Sequence, residues 1–292
     1  MKKHLILFLT LINLSYICNV KAAYTDNNEQ ITPTILSSEL KKDYIDNSDL
    51  IRNNNSSSIY LVYDLSHDKI MESLNANKLH PIASLTKLMT AYTFLKYYPY
   101  SLYNCNTAIT KEDKNITNTR LSKNKLYSCE DIVRVMLTVS DNYAASALAR
   151  SIPGFSKQDF FNKMNEEAYH LNMLHTKYVD SSGLMKTNQS TALDLLNLVK
   201  ELLQYSKIKE LASTKEIFVN NVEFKNSNKI VRDEIYDTDL SKTGHINESG
   251  YNLIFVPKYA CEDKKIAIIL MGATSSEDRF NTTKKLLQKY NC

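Results

Sequence analysis

A serine stands three residues before a lysine in "PIASLTKLMTAYTF", residues 81–94 of a 292-residue chain. On a helix the two positions share a face, which puts the Lys87 amine over the Ser84 hydroxyl. A serine at a helix start also meets the positive end of the backbone dipole, which favours developing negative charge. Leu88 and Met89 follow directly, so Lys87 is placed for partial burial. Burial, together with the cation of Lys242 discussed below, moves an amine toward the range where it serves as a base. The chemistry implied is nucleophilic attack by Ser84 with Lys87 taking its proton. The competing reading is a capping serine and a solvated lysine. Spacing alone does not decide, because Ser-x-x-Lys begins at Ser38, Ser66, Ser84, Ser122 and Ser206, and only Ser84 opens a strong apolar helical run.

Two other stretches carry polar groups of the right kind. Ser140-Asp141-Asn142 falls between two helical runs, 56 residues after Ser84. By itself it reads as a helix cap. Lys242-Thr243-Gly244 comes 102 residues later in a strand-like run and places one of only five glycines in mid-strand. A missing Cβ there lets another backbone or a ligand approach closely, although a bulge is the simpler reading.

The elements that must position these groups follow from periodicity. "IYLVYDL" and "KIMESL" flank Ser66-His67-Asp68 as a hairpin. Pro81 marks a helix start, and Leu85, Leu88, Met89, Ala91, Tyr92 and Leu95 recur at helical spacing. Helical patterns follow in "CEDIVRVMLTV", "NYAASALARSI", "KQDFFNKMNEEAYHL" and "STALDLLNLVKELL". Strand-like runs return in "EIFVNNVEF", "SKTGHI", "YNLIFVPKYA" and "KKIAIILMGAT", and "SEDRFNTTKKLLQKY" reads as a last helix. The expected class is α+β: an antiparallel sheet from both chain ends, flanked by helices, with a helical subdomain inserted. Residues 56–292 form one folded domain in this reading.

Lys2, Lys3 and His4, an apolar stretch from Leu5 to Val20 and the close Val20-Lys21-Ala22 read as a signal peptide over residues 1–22, with an uncleaved anchor as the alternative. Residues 23–55 are a polar Asn/Ser-rich leader. Removal of Cys18 leaves Cys105, Cys129, Cys261 and Cys292, which allow three pairings in an oxidising compartment. Cys105 and Cys129 bracket 23 residues whose ends can pair as a ribbon before the helix at Glu130. Cys261 lies in the turn between two late strands, and the last helix returns toward it to end at Cys292. The expected bridges are Cys105–Cys129 and Cys261–Cys292. No Cys-x-x-Cys or His-Glu-x-x-His spacing calls for a metal, and no cofactor is expected. A net charge of +4 without a basic stripe gives no reason to expect nucleic acid.

Ser-x-x-Lys, Ser-Asp-Asn and Lys-Thr-Gly in this order are the pattern of the serine penicillin-recognising enzymes. "HPIASLTKLMTA" resembles the nucleophile segment of the D-alanyl-D-alanine peptidases of low molecular mass. "TRLSKNKLYSCEDIVRVMLTVSDNYAASALA" and "YVDSSGLMKTNQSTALDLLNLV" are similar to stretches of the penicillin-binding D,D-endopeptidases, and the likeness covers residues 57–290. One departure stands out: Asn124 occupies a position where that family usually has glycine, and asparagine tolerates the left-handed backbone best after glycine. The resemblance implies a β-lactamase/transpeptidase-like fold. It implies Ser84 as nucleophile, Lys87 as base, Ser140 as proton relay to the leaving amine and Asn142 as the group holding Lys87 and the substrate amide. It also implies Lys242 as carboxylate anchor with Thr243 and Gly244 beside it, and an oxyanion hole from the N–H groups of Ser84 and His245.

The substrate so implied is peptidoglycan, through its stem peptides and crosslinks, with β-lactams as covalent inhibitors. Cleavage of crosslinks is expected over removal of terminal D-alanine, because the segments around Arg120 and Asp180-Ser181-Ser182-Gly183 are closer to the endopeptidases. Only 48 residues follow Gly244, which leaves no room for the extra β domain and membrane anchor of many related carboxypeptidases. The expected location is the periplasm, without a stable membrane anchor after signal cleavage. A β-lactamase needs a glutamate to activate water, and Glu166 and Glu167 fall in a helical pattern instead. A Ser-His-Asp hydrolase of the Gly-x-Ser-x-Gly type lacks its motif.

Overall fold

The computed structural model describes residues 59–98, 105–113, 119–258 and 264–290. The expected signal peptide, the leader, Cys261 and Cys292 lie outside the described residues. Strands β1 (Ile59–Asp64) and β2 (Lys69–Leu74) form the anticipated hairpin, whose turn is capped by Asp64 Oδ1 accepting from the N–H groups of Ser66 and His67 at 3.0 Å each. The short β3 (His80–Pro81) leads through a 3₁₀ turn, Ala83–Leu85, into helix α1 (Thr86–Tyr97).

β4 (Asn106–Ala108) and β5 (Leu126–Ser128) pair antiparallel, and their ends carry the Cys105–Cys129 disulfide, as the ribbon argument required. Asn124 sits at φ 59°, the left-handed conformation expected of a glycine substitute. Helices α2 (Cys129–Thr138), α3 (Asn142–Ala149), α4 (Lys157–His170) and, after the two-residue β6 (Gln189–Ser190), α5 (Ala192–Leu202) match the four helical patterns. Each is capped by a polar side chain accepting a backbone N–H: Ser128, Asp141, Ser156 and Thr191 respectively.

Several elements were not anticipated. Helix α6 (Ser206–Ser213) is only eight residues long and buries just Ile208, Leu211 and Ala212. "EIFVNNVEF" is not one strand but a hairpin of β7 (Glu216–Val219) and β8 (Val222–Lys225). Asn220 at φ 50° and Asn221 at φ 65° make the tight turn, which requires two residues tolerant of positive φ. The one-turn α7 (Lys229–Arg232) follows.

β9 (Thr238–Ile246), β10 (Gly250–Pro257) and β11 (Ile266–Ala273) complete a five-stranded antiparallel sheet in the order β2-β1-β11-β10-β9, and α8 (Ser276–Tyr290) closes the chain. The sheet is therefore built from both chain ends. β11 is a continuous apolar run because both its faces are covered, as periodicity rules require of a central strand. The larger core packs β1 and β11 against α1, α2, α3 and α5, and a smaller one packs Phe280, Leu286 and Leu287 of α8 on the other face.

Candidate active site

Ser84 lies in the 3₁₀ turn just ahead of α1 rather than in the helix itself. Ala83 before it has φ 48°, a strained value for a residue with a Cβ. The turn persists because neighbours clamp it. Ile82 N donates to Asn188 O at 3.0 Å, and Asn252 Nδ2 on β10 donates to Pro81 O at 3.1 Å. Two glycines press against it from either side. A Cβ on Gly244 would meet Ile82 O at 2.9 Å and Ser84 N at 3.2 Å, so the mid-strand glycine is a close-approach site and not a bulge. A Cβ on Gly183, at φ +82°, would overlap Ala83 O at 1.9 Å.

Lys87 is fully buried one turn along. Its Nζ donates to Ser84 Oγ at 2.8 Å, to Asn142 Oδ1 at 2.7 Å and to the Ser182 carbonyl at 2.6 Å. Burial brings its pKa down to about 7, partly opposed by the carboxylates of Asp180 and Asp141. The expected help from Lys242 is not what lowers it. Lys242, equally buried, is pushed well below the ordinary lysine range by burial and then by the charges of Lys87 and Arg279.

Ser140 and Asn142 come from the junction of α2 and α3. Ser140 has φ 65°, which bends the chain sharply between two buried helices. Asp141 between them faces away from the cleft: it caps α3 through Ala144 N at 2.9 Å and accepts from Thr119 Oγ1 at 2.6 Å. Lys242 Nζ donates to Ser140 Oγ at 2.8 Å and to Thr243 O at 2.9 Å. Thr243 Oγ1 shares a hydrogen bond of 2.7 Å with Ser227 Oγ. The structure thus forms two hydrogen-bonded groups, Lys87 with Ser84 and Asn142 and Lys242 with Ser140, close enough for the charge of Lys87 to act on Lys242, with Thr243 and Gly244 beside Lys242 on the edge strand β9. The His245 ring is exposed and stacks on Tyr251 at 4.0 Å between centroids.

Four supporting residues escaped the sequence reading. Asp180 accepts from the N–H groups of Ser182 and Gly183 at 2.6 Å each and of Met185 at 2.9 Å, which fixes the loop whose Ser182 carbonyl meets Lys87. Asn188, fully buried, accepts from Val179 N at 2.8 Å and donates to Thr86 Oγ1 at 3.0 Å, tying that loop to α1. Ser227 braces Thr243. Arg279 Nη1, behind the sheet, donates to Gly244 O at 3.3 Å and Asn252 O at 3.2 Å. An aspartate two residues before Ser182 is a readable turn signal, but a carbonyl that accepts from a lysine has no residue type to betray it.

The two glutamates considered for water activation are occupied elsewhere. Glu167 is buried, paired with Lys96 at 2.6 Å and accepting from Tyr97 Oη at 2.8 Å, while Glu166 pairs with Lys163 at 2.6 Å. Among the described residues no group of three His, Cys, Asp or Glu side chains could hold a metal ion, and no helix is long and apolar enough to cross a membrane.

The model of peptidase family S11, D-alanyl-D-alanine carboxypeptidase, matches residues 47–275. The chain is 44% identical over 240 residues to the D-alanyl-D-alanine endopeptidase of Haemophilus influenzae, covering 80% of this chain and 81% of the relative. It is 31% identical over 234 residues to the D-alanyl-D-alanine endopeptidase of Escherichia coli, covering 77% and 74% respectively. Among solved structures, penicillin-binding protein D2 of Listeria monocytogenes in its ampicillin-bound form superposes with a TM-score of 0.72 at 28% identity, over 80% of this chain and 97% of that one. Shared architecture, a family match over most of the length and a relative of this similarity agree: the chain belongs to peptidase family S11, the D-alanyl-D-alanine carboxypeptidase family.

Proposed function

We propose that the protein is an exported serine D,D-peptidase that hydrolyses D-alanyl crosslinks of peptidoglycan through an acyl-enzyme on Ser84. The observation that carries this reading is the buried Lys87 amine, 2.8 Å from Ser84 Oγ with its pKa at about 7. Of its three partners, the Asn142 amide oxygen and the Ser182 carbonyl can only accept. A neutral amine keeps those two bonds and turns its lone pair to the third, the Ser84 hydroxyl, the one partner with a proton to give. Asn142 is thus an orienting group for the base. Ser84 Oγ attacks the carbonyl between two D-centres and Lys87 takes the proton. The N–H groups of Ser84 and His245 receive the oxyanion, each such donor contributing about 3 kcal/mol. Ser140 passes a proton to the leaving amine. Water then repeats the sequence to free Ser84.

Lys242 suits an anchor for the carboxylate next to the scissile bond. An arriving anion favours its charged form, which burial and its neighbours otherwise disfavour. With Glu166 and Glu167 engaged elsewhere, the penicillin ester should be long-lived. The similarity to two proteins named endopeptidases supports crosslinks as substrate, and removal of terminal D-alanine is the alternative. Residues 1–22 as signal peptide, residues 23–55 as leader and a periplasmic site of action complete the proposal. The test has two parts. Labelled penicillin should modify the peptide containing Ser84 and fail to modify Ser84→Ala. Purified crosslinked muropeptide dimers should be cleaved faster than pentapeptides lose D-alanine; free D-alanine with dimers intact would make it a carboxypeptidase.

A further inference from the structure

Arg120 is exposed, and its guanidinium lies over the Phe224 ring at 5.1 Å from the centroid. It makes no ion pair with any described residue, although 32 acidic residues are spread along the chain. Two independent sets of contacts fix its place. Thr119 Oγ1 donates to the Asp141 carboxylate at 2.6 Å and accepts from Leu121 N at 3.1 Å, so the residues either side of Arg120 are tied to the position next to Ser140. Phe224, its stacking platform, sits three residues before Ser227, which bonds Thr243 Oγ1 at 2.7 Å and whose N–H donates to Thr138 O at 2.8 Å. Arg120 therefore stands on the rim of the cleft on the Ser140, Lys242 and Thr243 side, held by stacking, and no group among the described residues takes up its donors.

That side is where the leaving amine departs in the function proposed above, on which this inference rests. A released D-alanine carries a single carboxylate, next to the scissile nitrogen, and Lys242 accounts for it. When a crosslink is cut, the amine side is a whole stem peptide with further carboxylates beyond the reach of Lys242. We propose that Arg120 is a specificity-determining residue that binds one of these carboxylates on the amine-side stem peptide. A planar fork stacked on an aromatic ring is suited to bidentate recognition and loses little freedom on binding. Its contribution is made to dimers and not to pentapeptides or penicillin, whose leaving groups end too soon.

The experiment compares wild type, Arg120→Ala and Arg120→Lys on three substrates: crosslinked muropeptide dimers, the same dimers with amine-side carboxylates amidated, and monomeric pentapeptides. Penicillin acylation of all three proteins reports the integrity of the catalytic cluster. The expected result is a fall of about tenfold to hundredfold in kcat/KM of Arg120→Ala on dimers, carried mostly by KM. Arg120→Lys should retain part of the loss. Pentapeptide turnover and penicillin acylation should stay at wild-type rates, and amidated dimers should be cleaved equally slowly by wild type and Arg120→Ala. Equal losses on all substrates and on penicillin would make Arg120 a structural brace and overturn the assignment. Dimers cleaved at the wild-type rate by Arg120→Ala would overturn it too while leaving the endopeptidase reading standing. Wild-type enzyme that acylates with penicillin but leaves dimers intact would overturn the endopeptidase reading, and this inference with it.

Discussion

On the roles proposed for Ser84 and Lys87, the pH dependence of acylation follows from the geometry around Lys87. With a pKa of about 7, about one molecule in eleven holds a neutral base at pH 6, and about ten in eleven do at pH 8. The second-order rate of acylation by a fluorescent penicillin should therefore rise about tenfold between pH 6 and pH 8, then level off. A lysine left at its ordinary pKa would give about a hundredfold rise over the same span and no plateau. The perturbation that isolates the cause is Asp141→Asn. Asparagine caps a helix as well as aspartate does, so the bond to Ala144 N survives, and the amide can still meet the Thr119 hydroxyl. What is lost is a negative charge that favours the charged form of Lys87. The inflection must move to lower pH, and acylation at pH 6 must speed up relative to wild type. Stopped-flow measurement from pH 5.5 to 9 on both proteins reads the effect, with circular dichroism confirming equal folding. A wild-type profile rising log-linearly through pH 9, or an inflection that moves upward in Asp141→Asn, would refute Lys87 as the buried base.

Other outcomes follow from the same contacts. Gly244→Ala pushes a methyl against Ile82 O and Ser84 N, and acylation should slow about a hundredfold with little change in melting temperature. Gly183→Ala adds both a clash with Ala83 O and a disfavoured φ, so it should destabilise the fold by about 3 kcal/mol in urea titration. Asn188→Ala leaves Val179 N and Thr86 Oγ1 unpaired in the core; a loss of about 3 kcal/mol and slower acylation are expected, since the loop bearing Ser182 O loosens. Non-reducing peptide mapping should find Cys105 joined to Cys129, and the double variant Cys105→Ser/Cys129→Ser should lose about 3 kcal/mol of stability.

Periodicity was a sufficient guide wherever an element buries one face or two. The four middle helices, the first hairpin and the apolar β11 were legible for that reason. It gave no purchase on α6, which buries three side chains, or on the turn at Asn220 and Asn221, where the signal is backbone tolerance and not hydrophobicity. In the site, spacing alone left Ser84, Lys87 and Asn142 open, and it was the three motifs in order, through the family they resemble, that marked them. The motifs could not mark Ser182, whose contribution is a main-chain carbonyl, nor show that burial moves both lysines below the ordinary range, since burial is a property of the folded cleft. The strain at Ala83 was equally invisible, because alanine carries no sequence signature of positive φ.

The strand order has a temporal meaning. β1, near the front of the domain, pairs residue for residue with β11, so that Ile59 faces Met271 and Asp64 faces Ile266. About two hundred residues must be in hand before that seam closes, and contacts of such long range are slow to form. Lys242 reaches Ser140 from a strand that joins the sheet only through β10 and β11. A chain still emerging from the ribosome therefore carries its serine and its first lysine long before it owns a cleft. Competence for catalysis should switch on late, in one step, as the last strand zips home, and a nascent or clipped chain lacking β11 would be inert toward penicillin.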